Sequence, residues 1–322
     1  MVNMMKIPFF SIIIPAYNAQ EYIENCIKSI LEQKFQSYEI IMIDDGSTDD
    51  TLKIIEGYAQ TYDNIIVSHK ENGGIGTAIP IGIELASGEY IVFVDSDDTI
   101  KKSMLNDLYN IIVQNDKKTD VIQYGLEFRD LQGKLITQEI PPKYDIEGTA
   151  EILTDHFEKF VTPSLACRCF AKSLFWEAQY INQNIGIDEL LIVELLAKAN
   201  SLVSISEVYY IVSVRYGSVS REKYSEARVK QYINVYNKLI DFVEKNCVYI
   251  IDYIYIKYFK ILINILKSVN GDIKKRYNIY SKYVDCYTKL KKSNVYKERK
   301  LFKVKAYLLY IYCTIKSKMN NF

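Results

Sequence analysis

Four short apolar runs occupy residues 10–94, each closed by a turn and separated from the next by a stretch of helical period. They are Phe10-Ser11-Ile12-Ile13-Ile14-Pro15, Ile40-Ile41-Met42-Ile43, Asn64 to His69, and Tyr90-Ile91-Val92-Phe93-Val94. Strands that are apolar without alternation are buried on both faces, which is the condition of a parallel sheet covered by helices. The intervening segments supply those helices. From Ala19 to Phe35 apolar residues recur at Tyr22, Ile23, Cys26, Ile27, Ile30 and Leu31. A second helix runs through Tyr58 with Thr48 or Asp49 as its cap, and a third follows the glycine turn Asn72-Gly73-Gly74-Ile75-Gly76 through Ala86. A βαβαβαβ series of this kind predicts an α/β fold, a mostly parallel sheet flanked by helices.

Beyond Lys101 the regularity loosens. A helix over Met104–Gln114, a strand over Val121–Phe128 and a hairpin around Asp130–Lys134 are expected, then an amphipathic helix over Asp188–Ala199 and short strands at Leu202–Ile205 and Tyr209–Val214. From about Glu222 the chain is rich in Tyr, Ile and Lys and has no proline, so a helical second unit is expected. The division is placed at residues 1–221 and 222–322.

The forty basic and forty acidic residues cancel, but fourteen Lys or Arg against two acids lie between Ile273 and Phe322, which makes a basic appendage on an acidic body. Its lysines and arginines border Ala306-Tyr307-Leu308-Leu309-Tyr310-Ile311-Tyr312, a composition suited to an anionic bilayer surface. No nucleic-acid module accompanies the charge, so no nucleic-acid partner is expected. The six cysteines form no CxxC pair and fall in apolar segments, as reduced buried thiols do. Met1 to Phe10 lacks a signal-peptide core, and no run of 18 apolar residues occurs, so a cytoplasmic protein is expected.

Two of the apolar runs stop in carboxylates, at Asp44-Asp45-Gly46-Ser47 and at Asp95-Ser96-Asp97-Asp98. Residues at the carboxyl ends of parallel strands face the ligand crevice. Hard oxygen ligands spaced as Asp95 and Asp97 suit Mg²⁺ or Mn²⁺, which share their coordination with substrate phosphates. A nucleotide-diphosphate site is therefore expected at this edge.

Taken in order, Ser11-Ile12-Ile13-Ile14-Pro15-Ala16-Tyr17-Asn18, Ile43-Asp44-Asp45-Gly46-Ser47-Thr48-Asp49, Ala86-Ser87-Gly88-Glu89-Tyr90-Ile91 leading into Asp95-Ser96-Asp97-Asp98, and Ile187-Asp188-Glu189 resemble the family 2 glycosyltransferases. The resemblance runs from Phe10 to about Ser220. It implies a GT-A fold with a C-terminal helical appendage and an inverting transfer from a UDP-sugar. The acceptor would be a saccharide or lipid-linked saccharide in surface-polysaccharide assembly such as capsule or lipopolysaccharide, at the inner face of the membrane. Pro15, Tyr17, Asn18, Asp44, Asp45, Gly74, Asp95, Ser96 and Asp97 would then bind the donor nucleotide, Tyr17 lying on the uracil and Asp45 accepting its imide hydrogen. Asp95 and Asp97 would form the DxD element, with Asp97 on the metal. Asp188 would be the general base.

This chain departs from the family pattern in two places. The family's Ala-Arg-Asn is Ala78-Ile79-Pro80 here, so a cation near the donor phosphates is missing, and the Glu that usually precedes the base is Ile187. Tyr210, Arg215, Gly217, Ser218 and Ser220 resemble the family's closing segment, and Arg215 and Arg221 are candidates to supply the missing charge. Two alternatives stay open at the level of sequence. One is a non-catalytic nucleotide-binding partner subunit, the other a different nucleotide-sugar or phospho-sugar transferase on the same fold. His69 and His156 are expected to be structural.

Overall fold

The computed structural model describes residues 7–116, 118–159, 164–215 and 224–293. The chain divides into two compact units, Met1–Ser218 and Val219–Phe322.

The first unit is built on one mixed sheet in the order β3 (Ile65–His69), β2 (Tyr38–Asp44), β1 (Phe10–Ala16), β4 (Tyr90–Phe93), β9 (Arg168–Ala171), β6 (Val121–Arg129), β10 (Ser201–Ser213), β5 (Thr99–Ile100). Its parallel part is β1 (Phe10–Ala16), β2 (Tyr38–Asp44), β3 (Ile65–His69) and β4 (Tyr90–Phe93). These are the four apolar runs. Helices α1 (Ile23–Leu31), α2 (Thr51–Thr61) and α3 (Ile75–Leu85) connect them. Every residue of β2 and β4 is buried, the burial on both faces that uninterrupted apolar runs require. The ring of Phe9 stacks on Tyr90 at 5.4 Å and meets Tyr109 edge-on at 4.9 Å, closing the end of the core away from the site.

A polar latch holds β1, β2 and β4 in register. Glu39, buried on β2, accepts from Ser11 Oγ (2.5 Å), from the Ser87 amide (2.6 Å) and from Ser87 Oγ (2.9 Å). The Gly88 amide donates to Ser11 Oγ at 2.8 Å, and a Cβ on Gly88 would lie 2.7 Å from the Ser11 nitrogen. Only glycine lets this turn pass so close to β1. Ser11 and Ser87-Gly88 therefore keep the strands together, at the opposite end of β1 and β4 from their carboxylates.

The rest of the unit comprises β5 (Thr99–Ile100), α4 (Met104–Gln114), β6 (Val121–Arg129), β7 (Leu135–Glu139), β8 (Tyr144–Glu147), α5 (Thr149–Glu158), β9 (Arg168–Ala171), α6 (Ile187–Leu196) and β10 (Ser201–Ser213). Three local expectations are corrected. The two short strands at 202–205 and 209–214 are one thirteen-residue strand, β10, whose pairing with β6 slips at Ser204/Val208 and again at Val208/Tyr210. Bulges of this kind leave a gap in the apolar pattern that imitates a turn. The helix expected to be amphipathic, α6, is buried from Leu190 to Leu196 on every side, and only Asp188 and Glu189 in its first turn are partly exposed. Finally, the N-cap position of α2 is held by Asp50 and not by Thr48 or Asp49, although Asp49 still accepts the Thr51 amide at 3.0 Å.

The second unit holds α7 (Glu226–Asn246), α8 (Ile251–Ser268), α9 (Gly271–Arg276) and α10 (Ile279–Lys292). The Ser225 hydroxyl caps α7 by accepting from the Arg228 amide at 3.3 Å. Its tyrosines are core residues. Tyr236 stacks on Tyr258 at 4.8 Å, and Phe259 on Tyr283 at 4.6 Å. Most of the basic segment, from Asn294 onward, and Arg221 lie outside the described residues. The five described cysteines, Cys26, Cys167, Cys169, Cys247 and Cys286, are all buried and form no disulfide.

Candidate active site

The carboxyl ends of β1, β2 and β4 lie side by side in the sheet and carry the first cluster. Beyond β1, Tyr17 exposes about half its surface, so its ring face is open to a flat ligand. Asn18 takes a left-handed backbone conformation and locks the loop to the next strand end. Its Oδ1 accepts from the Thr48 amide at 2.8 Å, and its own amide donates to Ser47 Oγ at 3.0 Å.

The two carboxylates after β2 have different surroundings. Asp45 is buried, its Oδ1 paired with Lys70 Nζ at 2.5 Å and accepting the Gly73 amide at 3.0 Å, while its Oδ2 accepts the Gly74 amide at 2.7 Å. Asp44 is fully buried. Its Oδ2 meets His69 Nδ1 at 2.7 Å and the Ser47 amide at 3.2 Å, and its Oδ1 has no hydrogen-bond partner among the described residues. His69 is thus the neighbour of a carboxylate at the site, and Lys70 supplies a cation there that sequence reasoning missed. Both lie at the end of β3, one strand away from the carboxylates they meet.

The glycine turn leads into α3 with its amides already engaged. Besides Gly73 and Gly74, the Ile75 amide donates to Asn184 Oδ1 at 3.2 Å and the Gly76 amide to the Gln183 carbonyl at 3.2 Å. Gly74 has φ +86°, and a Cβ there would lie 1.7 Å from Asn184 Oδ1. The start of α3 is therefore covered by the segment that precedes α6, and its amides are not turned to a ligand as they are at a helix-terminal anion site. Ile79 is buried in α3 and Pro80 sits inside the helix, past its first turn. The helix itself, Ile75–Leu85, carries no Lys or Arg to replace the missing cation.

After β4 the chain turns through Asp95, Ser96, Asp97 and Asp98. Tyr210, buried on β10, ties this turn to the far half of the sheet: its hydroxyl accepts the Asp95 amide at 2.9 Å and bonds the Asp98 carboxylate. Asp98 also accepts the Ser213 amide at 2.8 Å. Burial and then the neighbouring Asp97 push the Asp98 carboxyl up to about 7. The Asp95 residue is exposed to solvent. Desolvation, followed by repulsion from Asp98, Asp188 and Asp97, raises it well above the ordinary carboxylate range. Its exposure tempers the first cause; three like charges preserve the direction.

Asp97 is paired with a cation. Arg215, two residues past the end of β10, places Nη2 2.6 Å from Asp97 Oδ2 and lays its guanidinium over the Tyr22 ring, 4.6 Å from the centroid. Arg215 Nε is buried and has no acceptor among the described residues.

Asp188 opens α6 close enough to Asp95 to raise it. Burial pushes Asp188 itself up to about 6, restrained by a hydrogen bond from the Leu165 amide and by the charge of Arg168. Arg168, on β9, is fully buried. Its Nη1 donates to the Ser164 carbonyl at 2.8 Å and its Nη2 meets His156 Nδ1 at 3.3 Å. The short turn Leu165–Cys167 thus offers its first amide to Asp188 and anchors its entry on Arg168.

The donor set of this crevice fits a hard divalent ion. Asp95 and Asp97 offer oxygen only, and crowding of their charges makes a cation welcome. Among the described residues no group of three or more His, Cys, Asp and Glu side chains is arranged around a metal position. That is compatible with an ion such as Mg²⁺, which takes one or two carboxylates and completes its shell from phosphates and water.

Comparison with known proteins adds the following. The model of "Glycosyl transferase family 2" matches residues 11–175. GlyG, a glycosyltransferase of Streptococcus pneumoniae, is 29% identical over 240 residues, covering 71% of this chain and 79% of GlyG. GlyA from the same organism is 27% identical over 231 residues, and the match spans only 33% of its length. Among solved structures, Staphylococcus aureus TarS superposes with a TM-score of 0.69 at 22% identity, covering 97% of this chain and 53% of TarS. Its fragment 1–349 in complex with UDP-GlcNAc gives 0.59 at 23% identity, over 97% of this chain and 81% of that one. These structures share the GT-A fold with this chain.

Proposed function

Since the chain belongs to glycosyl transferase family 2, and so is a glycosyltransferase, we propose that it transfers a sugar from a UDP-sugar, with inversion, to a saccharide or lipid-linked saccharide of a bacterial surface polysaccharide. One observation carries this reading above the others. A base candidate held near neutrality, Asp188, faces a crowded carboxylate turn, Asp95 to Asp98, across the carboxyl end of a GT-A sheet.

Each residue then has a task that follows from its surroundings. Tyr17 offers its open ring to the uracil, and Asn18 and Pro15 hold the loop that presents it. Asp45, oriented by Lys70 and the two glycine amides, stands at the imide edge, with Asp44 behind it. That TarS has been solved with UDP-GlcNAc supports UDP as the nucleotide. Asp97, with Asp95 beside it and Ser96 between them, would hold Mn²⁺ or Mg²⁺. Such an ion, when bound, neutralises a diphosphate and the charge that grows on it as the glycosidic bond breaks. Arg215 is the cation for the diphosphate that α3 does not provide.

Asp188 takes the proton of the acceptor hydroxyl. A carboxyl at about 6 is ionised at neutral pH yet more basic than an ordinary aspartate, the compromise general-base catalysis requires. Ile187, where the family carries Glu, is buried in the core, so Asp188 works without an acidic neighbour on that side. The basic C-terminal segment would bring the enzyme to an anionic membrane surface, where a lipid-linked acceptor resides.

The test is UDP release from a panel of UDP-sugars with Mn²⁺, comparing the wild type with Asp97→Ala and Asp188→Asn. The expected result is slow donor hydrolysis selective for one sugar and lost in both variants. UDP binding with no turnover on any donor, with or without lipid-linked acceptors, would favour a non-catalytic partner subunit. Release of pyrophosphate or UMP would favour a different transferase chemistry.

A further inference from the structure

We infer that Arg215 is the resident counter-ion of Asp97, so that a divalent ion binds this site weakly alone and tightly only together with a nucleoside diphosphate. The inference rests on the reading of Asp95 and Asp97 as the metal-diphosphate turn and adds a coupling to it.

Three observations place the guanidinium where a metal ion would compete with it. Arg215 Nη2 lies 2.6 Å from Asp97 Oδ2, at the carboxylate best placed to take the ion. Its plane rests over Tyr22 at 4.6 Å, a contact independent of the acidic turn that keeps the guanidinium at this position. Nε faces inward without an acceptor among the described residues, so the group is only partly satisfied here. A planar guanidinium matches the paired oxygens of a phosphate better than it matches a single carboxylate oxygen.

The consequence is an exchange of partners. Without nucleotide, an arriving cation meets a carboxylate whose charge is already neutralised, and it must displace Arg215 from both Asp97 and Tyr22. A diphosphate gives the guanidinium new acceptors and releases Asp97. Each ligand therefore strengthens the other, and by linkage the factor is the same in both directions. Arg215 thereby ensures that metal and donor enter the crevice together.

The experiment measures Mn²⁺ binding by the electron paramagnetic resonance signal of free Mn²⁺, with and without saturating UDP, in the full chain and in Arg215→Met and Tyr22→Leu. Circular dichroism establishes that each variant is folded. In the wild type, UDP should tighten Mn²⁺ by about 5-fold or more, the lower end of ordinary coupling between linked sites. In Arg215→Met, Mn²⁺ alone should bind several-fold tighter than to the wild type, and the UDP effect should shrink. Tyr22→Leu should move both in the same direction by less.

Equal Mn²⁺ affinity in the wild type and Arg215→Met without nucleotide would overturn the inference, as would absence of Mn²⁺ binding in both. Absence of UDP binding in every protein would instead sink the nucleotide reading, while the Mn²⁺-alone comparison would still decide the role of Arg215.

Discussion

At the scale of single residues, the proposed base depends on what stands behind it. Asp188 is raised to about 6 by burial and restrained by the Leu165 amide and the Arg168 charge. Activity should therefore fall as pH drops through about 6, where Asp188 becomes protonated and loses its capacity to accept a proton. Arg168→Lys should leave that limb nearly in place. Arg168→Met, measured with its melting temperature because the side chain is fully buried, should move the limb to higher pH. A pH profile of kcat/KM on the three proteins checks this. Asp98 gives a second prediction, on stability. Its folded-state value is about 7, against about 4 for an unfolded aspartate. A raised carboxyl contributes stability that is fully present below the unfolded value and lost as pH rises through the folded one. Asp98→Asn, which keeps an acceptor for the Ser213 amide, should accordingly raise Tm at pH 8 and leave it nearly unchanged at pH 4. Thermal melts at the two pH values decide it.

At the scale of elements, the turns that deliver the carboxylates are fixed by contacts distant in sequence. Gly88→Ala would put a Cβ 2.7 Å from the Ser11 nitrogen and 2.8 Å from the Phe10 carbonyl carbon, and strand backbone cannot yield cheaply. Strain of that kind costs about 1–3 kcal/mol, which denaturant unfolding would show as a lower midpoint with an unchanged slope. The strands and helices of residues 10–94 were legible because period and apolar runs are local properties. The burial of α6 was not: Asp188, Glu189 and Glu194 suggested a polar face, yet Glu194 is buried with Leu190, Leu191, Ile192 and Val193. The bulges of β10 were likewise hidden, since Ser206 and Glu207 look like a turn until β6 is seen beside them. Asp45, Asp97 and Asp188 could be named from their motifs. Their partners Lys70, Arg215 and Arg168 acquire those roles only when strands far apart in sequence become neighbours, although Arg215 already stood out as a displaced cation.

At the scale of the whole molecule, a catalytic unit of net acidic sequence is joined to a helical unit with a basic continuation. No described helix is long and apolar enough to cross a membrane. If the basic segment docks on an anionic surface, the full chain should sediment with phosphatidylglycerol vesicles at low salt and be released at about 1 M salt, where screening is within a few ångströms. The central claim concerns the reaction: a single displacement at the anomeric carbon, with Asp188 removing the proton of the incoming hydroxyl. Its most direct test follows the anomeric proton by real-time NMR while the enzyme hydrolyses its preferred α-linked UDP-sugar. The account predicts that the free β-anomer appears first, before mutarotation, and that Asp188→Asn abolishes its formation. Initial release of the α-anomer, or wild-type turnover by Asp188→Asn, would contradict it.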